Sequence, residues 1–221
     1  TANTAVGGLA MNANTTGAGN TVLGYGALKT NTTASDNTAI GRDALNANTT
    51  GNRNIAIGRD SLLANTTGIY NTAIGYQSLK TNTTGDYNIA IGYQALEDAT
   101  TAGSNIAIGY AAGNKITTGT GHTYIGWAAG TETTTGTSNV AVGNESLQKT
   151  TTGSSNVAVG WQALEENTTA DGNTAIGYQS MTANTTGHSN TALGKDSLKL
   201  NVDGDRNTAL GYGALNVANS P

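Results

Sequence analysis

Few side chains in this sequence are of the types that do chemistry, and their spacing sets them apart from one another. Cysteine is absent and only two histidines occur, His122 and His188. They are separated by about four repeat lengths, roughly 19 Å at the spacing of stacked strands. They predict no shared metal site and no His-centred triad. Asn201, Asp203 and Asp205 surround Gly204 and have the flavour of a calcium loop. The remaining ligands and the terminal Glu are missing, so a solvated turn is the simpler reading. Glu165 and Glu166 are sequence neighbours without the separation an acid/base pair needs. Thr118-Gly-Thr-Gly121 has no Lys to hold a phosphate. Arg42-Asp43 and Arg59-Asp60 fall in one row of adjacent units, where like charges would stack and an exposed edge is expected. No residue set calls for a cofactor, a metal or catalysis.

One constellation does stand out. Tyr25, Tyr76, Tyr93, Tyr110, Trp127, Trp161, Tyr178 and Tyr212 recur at a single repeat position, and both Trp of the chain are among them. Tyr76 to Trp127 would form a continuous ladder. Such a row can offer flat faces to sugar rings, pack between chains, or stack on itself. All three readings are open.

The element that positions these residues is a repeat of 17. Units begin at Asn3, Asn20, Asn37, Asn54, Asn71, Asn88, Asn105, His122, Asn139, Asn156, Asn173, Asn190 and Asn207, with no insertion. The array therefore runs over 1–221 as one domain. The unit reads N-β-A-φ-G-x-x-a-L-x-x-N-T-T-G-x-x, with β β-branched, φ aliphatic and a Ala or Ser. Position 5 is Gly in all thirteen units, and position 9 is Leu or Met in eleven. Gly113 and Gly130 are the exceptions, and they predict the thinnest part of the core.

Such a unit is too short for a helix pair. Alternation of positions 2 and 4 with 1 and 3 predicts a strand, with Ile74, Ile91 and Leu79 pointing inward. Gly75 and its equivalents predict a bend. A second short strand is expected over positions 7 to 10, and Asn-Thr-Thr-Gly closes the coil. The fold class is all-β: a parallel β-solenoid, or β-roll, of thirteen 17-residue coils, about 60 Å long at the strand spacing. Asn at position 1 is expected to stack amide on amide. Buried apolar area per coil falls short of the cost of ordering 17 residues, which favours an oligomer. Ala at position 3, in eleven of thirteen units, is small enough for close approach of another chain.

Asn54-Ile-Ala-Ile-Gly58, Asn88-Ile-Ala-Ile-Gly92, Asn105-Ile-Ala-Ile-Gly109 and Asn156-Val-Ala-Val-Gly160 resemble the head repeat of trimeric autotransporter adhesins. The full unit looks more like the N-T-A-I-G-Y-Q-A-L arrays of phage tail fibres and bacterial surface proteins. The resemblance implies a trimer and an extracellular fibre on a cell surface, in a secreted filament or on a virion. The period of 17 departs from the roughly 14 of adhesin heads.

Composition fits that expectation. A net charge of −4 disfavours nucleic acid, and no apolar run of membrane-spanning length exists. Thr1 suggests a fragment or processed product. The expected function is a structural or adhesive fibre segment, not an enzyme. Its partners would be other copies of the chain, side by side or end to end, with surface glycans a further partner. Bare strand edges at both ends, with no cap signal at the start, a half coil over Asn207 to Leu215 at the end and Pro221 altering the last turn, would favour end-to-end stacking. The alternative is an ice- or glycan-binding solenoid that uses the Thr rows or the Tyr/Trp row. Seven Asn-Thr-Thr strings also match a glycosylation acceptor, a density that follows from the repeat itself.

Overall fold

A computed structural model of the chain describes residues 2–216. The expectations that rest on the final turn, including Pro221, lie outside those residues. The chain comprises two compact units, Thr1–Ile108 and Gly109–Pro221, and the same coil builds both. The first holds β1 (Thr4–Val6), β2 (Thr21–Leu23), β3 (Thr38–Ile40), β4 (Ile55–Ile57), β5 (Thr72–Ile74), β6 (Ile89–Ile91) and β7 (Ile106–Ile108). The second holds β8 (Thr123–Ile125), β9 (Val140–Val142), β10 (Val157–Val159), β11 (Thr174–Ile176), β12 (Thr191–Leu193) and β13 (Thr208–Leu210). Within each unit, consecutive strands pair in parallel with a register of 17 residues, Thr72 against Ile89 and Val140 against Val157 for example. The chain is a parallel β-solenoid, and each coil contributes one three-residue strand.

The glycine at position 5 sets the coil spacing. Gly75 has φ +136°, a conformation that side chains rarely adopt, and a Cβ there would lie 2.3 Å from the Gly92 carbonyl oxygen. The same geometry recurs along the row, so backbone lies directly on backbone and nothing larger than hydrogen fits.

Several expectations fail. The segment over positions 7 to 10 is not a strand. It is a tight turn over positions 6 to 11, with left-handed residues at positions 7 and 9: Gln77 at φ 54° and Leu79 at 51°, Gln162 at 53° and Leu164 at 52°. Alternating hand coils the backbone too sharply for extended structure. Inter-coil hydrogen bonds nevertheless continue through it, as in Leu79 N–H to Ala95 O at 2.9 Å. Left-handed Leu costs roughly 1 kcal/mol or more per site. Full burial of the side chain, worth about 1.5–3 kcal/mol, offsets that cost.

The strand also faces the other way from expectation. Ala73, Ala90, Ala141 and Ala158 at position 3 are wholly buried. Ile74 and Ile91 are only partly covered, while Ile55 and Ile176 are 39% and 37% exposed. The interior is narrow. Leu at position 9 and Asn at positions 1 and 12 fill it from the turn sides, leaving room on the strand side for a small side chain, Ala in most coils and Val22 in one. Ala is therefore interior packing rather than a contact for another chain, and the aliphatic rows face outward.

Asn rows hold the interior together. Asn71 Oδ1 accepts from the Asn88 backbone N–H at 2.9 Å, and Asn71 Nδ2 donates to Gly85 O at 2.8 Å. From the other side of the coil, Asn82 Nδ2 donates to the same carbonyl at 3.0 Å and to Asn65 Oδ1 at 2.8 Å. Two amide ladders thus clamp the position-15 carbonyl, and buried polar groups are matched pair by pair. Asn82 Oδ1 is left without a partner, because the next coil has Ala99 in that row.

Gly113 and Gly130 do not thin the core. In the coil of Gly130, Tyr124 replaces the position-3 Ala, is fully buried, and fills the space a Leu would take. A Cβ on Gly130 would lie 2.3 Å from its ring. Tyr124 Oη and Thr133 Oγ1 share a hydrogen bond of 2.9 Å. In the coil of Gly113, buried Ile116 takes the position of the usual Asn.

His122 occupies an Asn position and stacks on Tyr124 at 4.8 Å between centroids. Its Nδ1 accepts from the Asn139 N–H at 3.2 Å, so Nε2 carries the proton and donates to Gly136 O at 2.8 Å. Burial lowers its pKa from 6.5 to about 4, against the smaller raising effect of those two bonds. Because the folded value lies below the free one, the neutral ring's contribution is complete above pH 6.5 and is lost as pH falls towards 4. The loss approaches about 3 kcal/mol. Thermal melts at pH 7 and pH 4 should therefore show a smaller acid drop in Tm for His122→Asn than for the parent chain.

Candidate interaction surface

The outward strand face carries two rows. Position 2 is Thr, Ile or Val, and position 4 is aliphatic in every coil. In the first unit the position-4 row runs Val6, Leu23, Ile40, Ile57, Ile74, Ile91 and Ile108, with neighbours in strand register. In the second it runs Ile125, Val142, Val159, Ile176, Leu193 and Leu210. Each row is a straight apolar stripe, half exposed and without a charged residue. Isolated exposed apolar side chains are ordinary, but contiguous stripes mark contact surfaces.

After the bend at position 5 comes the aromatic row. Rings stack on their neighbours along the coils, Tyr76 with Tyr93 at 5.3 Å, Tyr110 with Trp127 at 6.1 Å, and Trp161 with Tyr178 at 4.9 Å, all within 30° of parallel. Stacking turns the ring faces towards one another and presents edges to solvent. That arrangement favours the self-stacking reading over a glycan platform, which needs free faces. A second aromatic pair, Tyr70 with Tyr87 at 5.2 Å and position 17, carries Arg53 over the Tyr70 ring. Only the recurrence of Tyr at two sites 17 residues apart hinted at it.

The remaining candidates are placed as follows. Thr at position 13 donates its hydroxyl to the next coil's carbonyl, as Thr66 does to Thr83 O at 3.0 Å, while Thr67 at position 14 is exposed. One Thr of each pair is thus spent on the coil. Asn201 is buried and donates to Asn184 Oδ1, whereas Asp203 is exposed and Asp205 Oδ1 accepts from the His188 N–H. These three point to different tasks. Arg42–Asp43 and Arg59–Asp60 pair within their own coils, at 3.2 and 3.3 Å. Glu166 bridges to Lys149 at 2.5 Å. Glu165 has its pKa raised, by burial first and by the Glu166 charge second.

Position 16 holds a row that composition conceals. Its backbone N–H donates to an acceptor side chain at position 16 of the next coil: Ile69 to Asp86, Ser154 to Asp171, Asp171 to His188 Nδ1. Ser, Asn, Asp and His all serve as acceptors, so a row that looks variable in sequence shares one chemistry wherever the next coil carries an acceptor.

Compared with known proteins, the chain matches no family model, no curated protein and no solved structure. Among the described residues no helix is long and apolar enough to cross a membrane.

Proposed function

We propose that this chain is a structural, adhesive segment of an extracellular fibre, in which copies pack side by side through the outward aliphatic face. The observation that carries the reading is the position-4 stripe. It is aliphatic in all thirteen repeats although the coil's own interior does not use it. A residue type held constant on an outer face calls for a partner with the same periodicity, and a second copy has it. Three copies is the number that the likeness to adhesin heads and tail fibres suggests. The alternative of an ice-binding face on the Thr rows gains nothing from a hydroxyl row already committed to backbone carbonyls.

Sedimentation equilibrium tests the reading. The chain mass is 22.2 kDa. A mass of about three times that value, stable on dilution and independent of salt, is the expected result for an interface built on apolar area. A monomer at all accessible concentrations would contradict it.

A further inference from the structure

Position 6 has a gap that the stacking leaves open. Trp127 stacks on Tyr110, and Trp161 stacks on Tyr178. The other face of each indole looks towards the coil between them, where position 6 is Asn144. The only two Trp of the chain thus flank one short side chain. In strand register they are two spacings apart, about 9.6 Å. Asn144 is exposed. It is much shorter than an indole, so it floors the gap without filling it.

The same unit shows what such a gap holds. Tyr178 and Tyr212 are also two coils apart, and Lys195 stands between them. Its ammonium lies 5.3 Å from one ring centroid and 5.7 Å from the other. Two rings at this separation therefore hold one cation, each within the range of a cation–π contact. A cation midway between Trp127 and Trp161 would lie about 4.8 Å from each ring by the same spacing, and Trp is the strongest partner for it. Glu145, the next residue, is partly buried, and its Oε2 accepts from Gln162 Nε2 at 2.8 Å.

The geometry points to a binding site between Trp127 and Trp161, over Asn144, for an organic cation of the alkylammonium or quaternary ammonium class. The site lies within one chain and past the position-5 bend, so it stands independently of side-by-side assembly.

Tryptophan fluorescence reads it directly, because both indoles of the chain line it. Tetramethylammonium chloride and choline chloride are titrated into the whole chain against sodium chloride at equal ionic strength, with glucose as a neutral ring. A saturable change with both ammonium salts, absent with sodium and glucose, is expected. Asn144→Lys should supply its own cation as Lys195 does and weaken binding at least tenfold. Trp161→Leu should abolish it, with the circular dichroism spectrum of each variant unchanged. No saturable change, an equal response to glucose, or undiminished binding by Asn144→Lys would overturn the assignment. Sedimentation of the same samples reports assembly separately.

Discussion

Gly75→Ala, a change of one methyl group, should cost about 4 kcal/mol or more, near the upper end of single substitutions. The cost has two sources that add. Alanine at φ +136° is strained by roughly 1–3 kcal/mol. The methyl also meets the Gly92 carbonyl at 2.3 Å, and that oxygen belongs to a stacked backbone that cannot move without opening the ladder. Neighbouring coils share their stability, so the damage should spread beyond one repeat. Gly68→Ala is the control. A Cβ at Gly68 would be as close to Gly85 O, at 2.5 Å, but its φ is not left-handed, and Ala34, Ala102 and Ala170 occupy that row natively. Its loss should stay near 1 kcal/mol. Urea unfolding of the two variants checks the contrast; equal losses would show that backbone conformation at position 5 is not the constraint.

Ile91→Asp and Leu96→Asp should separate the two sides of the coil. Leu96 is wholly buried among neutral groups, and a carboxylate there costs several kcal/mol and should unfold the surrounding coils. Ile91 lies on the outward stripe. Its substitution should leave the β-spectrum of the single chain in place and shift the sedimentation mass towards one chain. If Ile91→Asp melts as badly as Leu96→Asp, the strand faces inward through position 4 and the interface assignment fails.

The contrast between those residues shows what the sequence could disclose. The period, the bend at Gly75, the burial of Leu79 and the amide row at Asn71 are all legible, because each is a single residue type recurring in a fixed phase. The facing of the strand is less so. A three-residue strand offers one alternation, and hydrophobicity assigns Ile74 to the interior. Steric room decides otherwise: the narrow space beside Leu79 and Asn82 is filled by the small side chain of Ala73. The clue was present in the free exchange of Thr with Ile at position 2, which an interior would not tolerate. Asn71 and Ala73 share a face of the strand, so burying the amide also buries the alanine. The turn at positions 7 and 9 was hidden because Gln77 and Leu79 take left-handed conformations without a glycine to announce them. The aromatic row was found as a row, but its ring orientation, and hence the gap at Asn144, depends on stacking that no spacing reveals.

We propose that other copies of the chain cover the outward aliphatic face. This is tested most directly by thiol accessibility, since the chain has no cysteine. Ile176→Cys places one thiol on the stripe, where the single chain leaves the side chain 37% exposed. Thr186→Cys places one on the exposed turn of the same unit. Maleimide labelling of the native material should be slow at position 176 and fast at 186, with position 176 becoming fast when Leu193→Asp disrupts the same stripe. Equal labelling rates at the two positions in the native material would mean that the stripe is open to solvent, and would contradict the account.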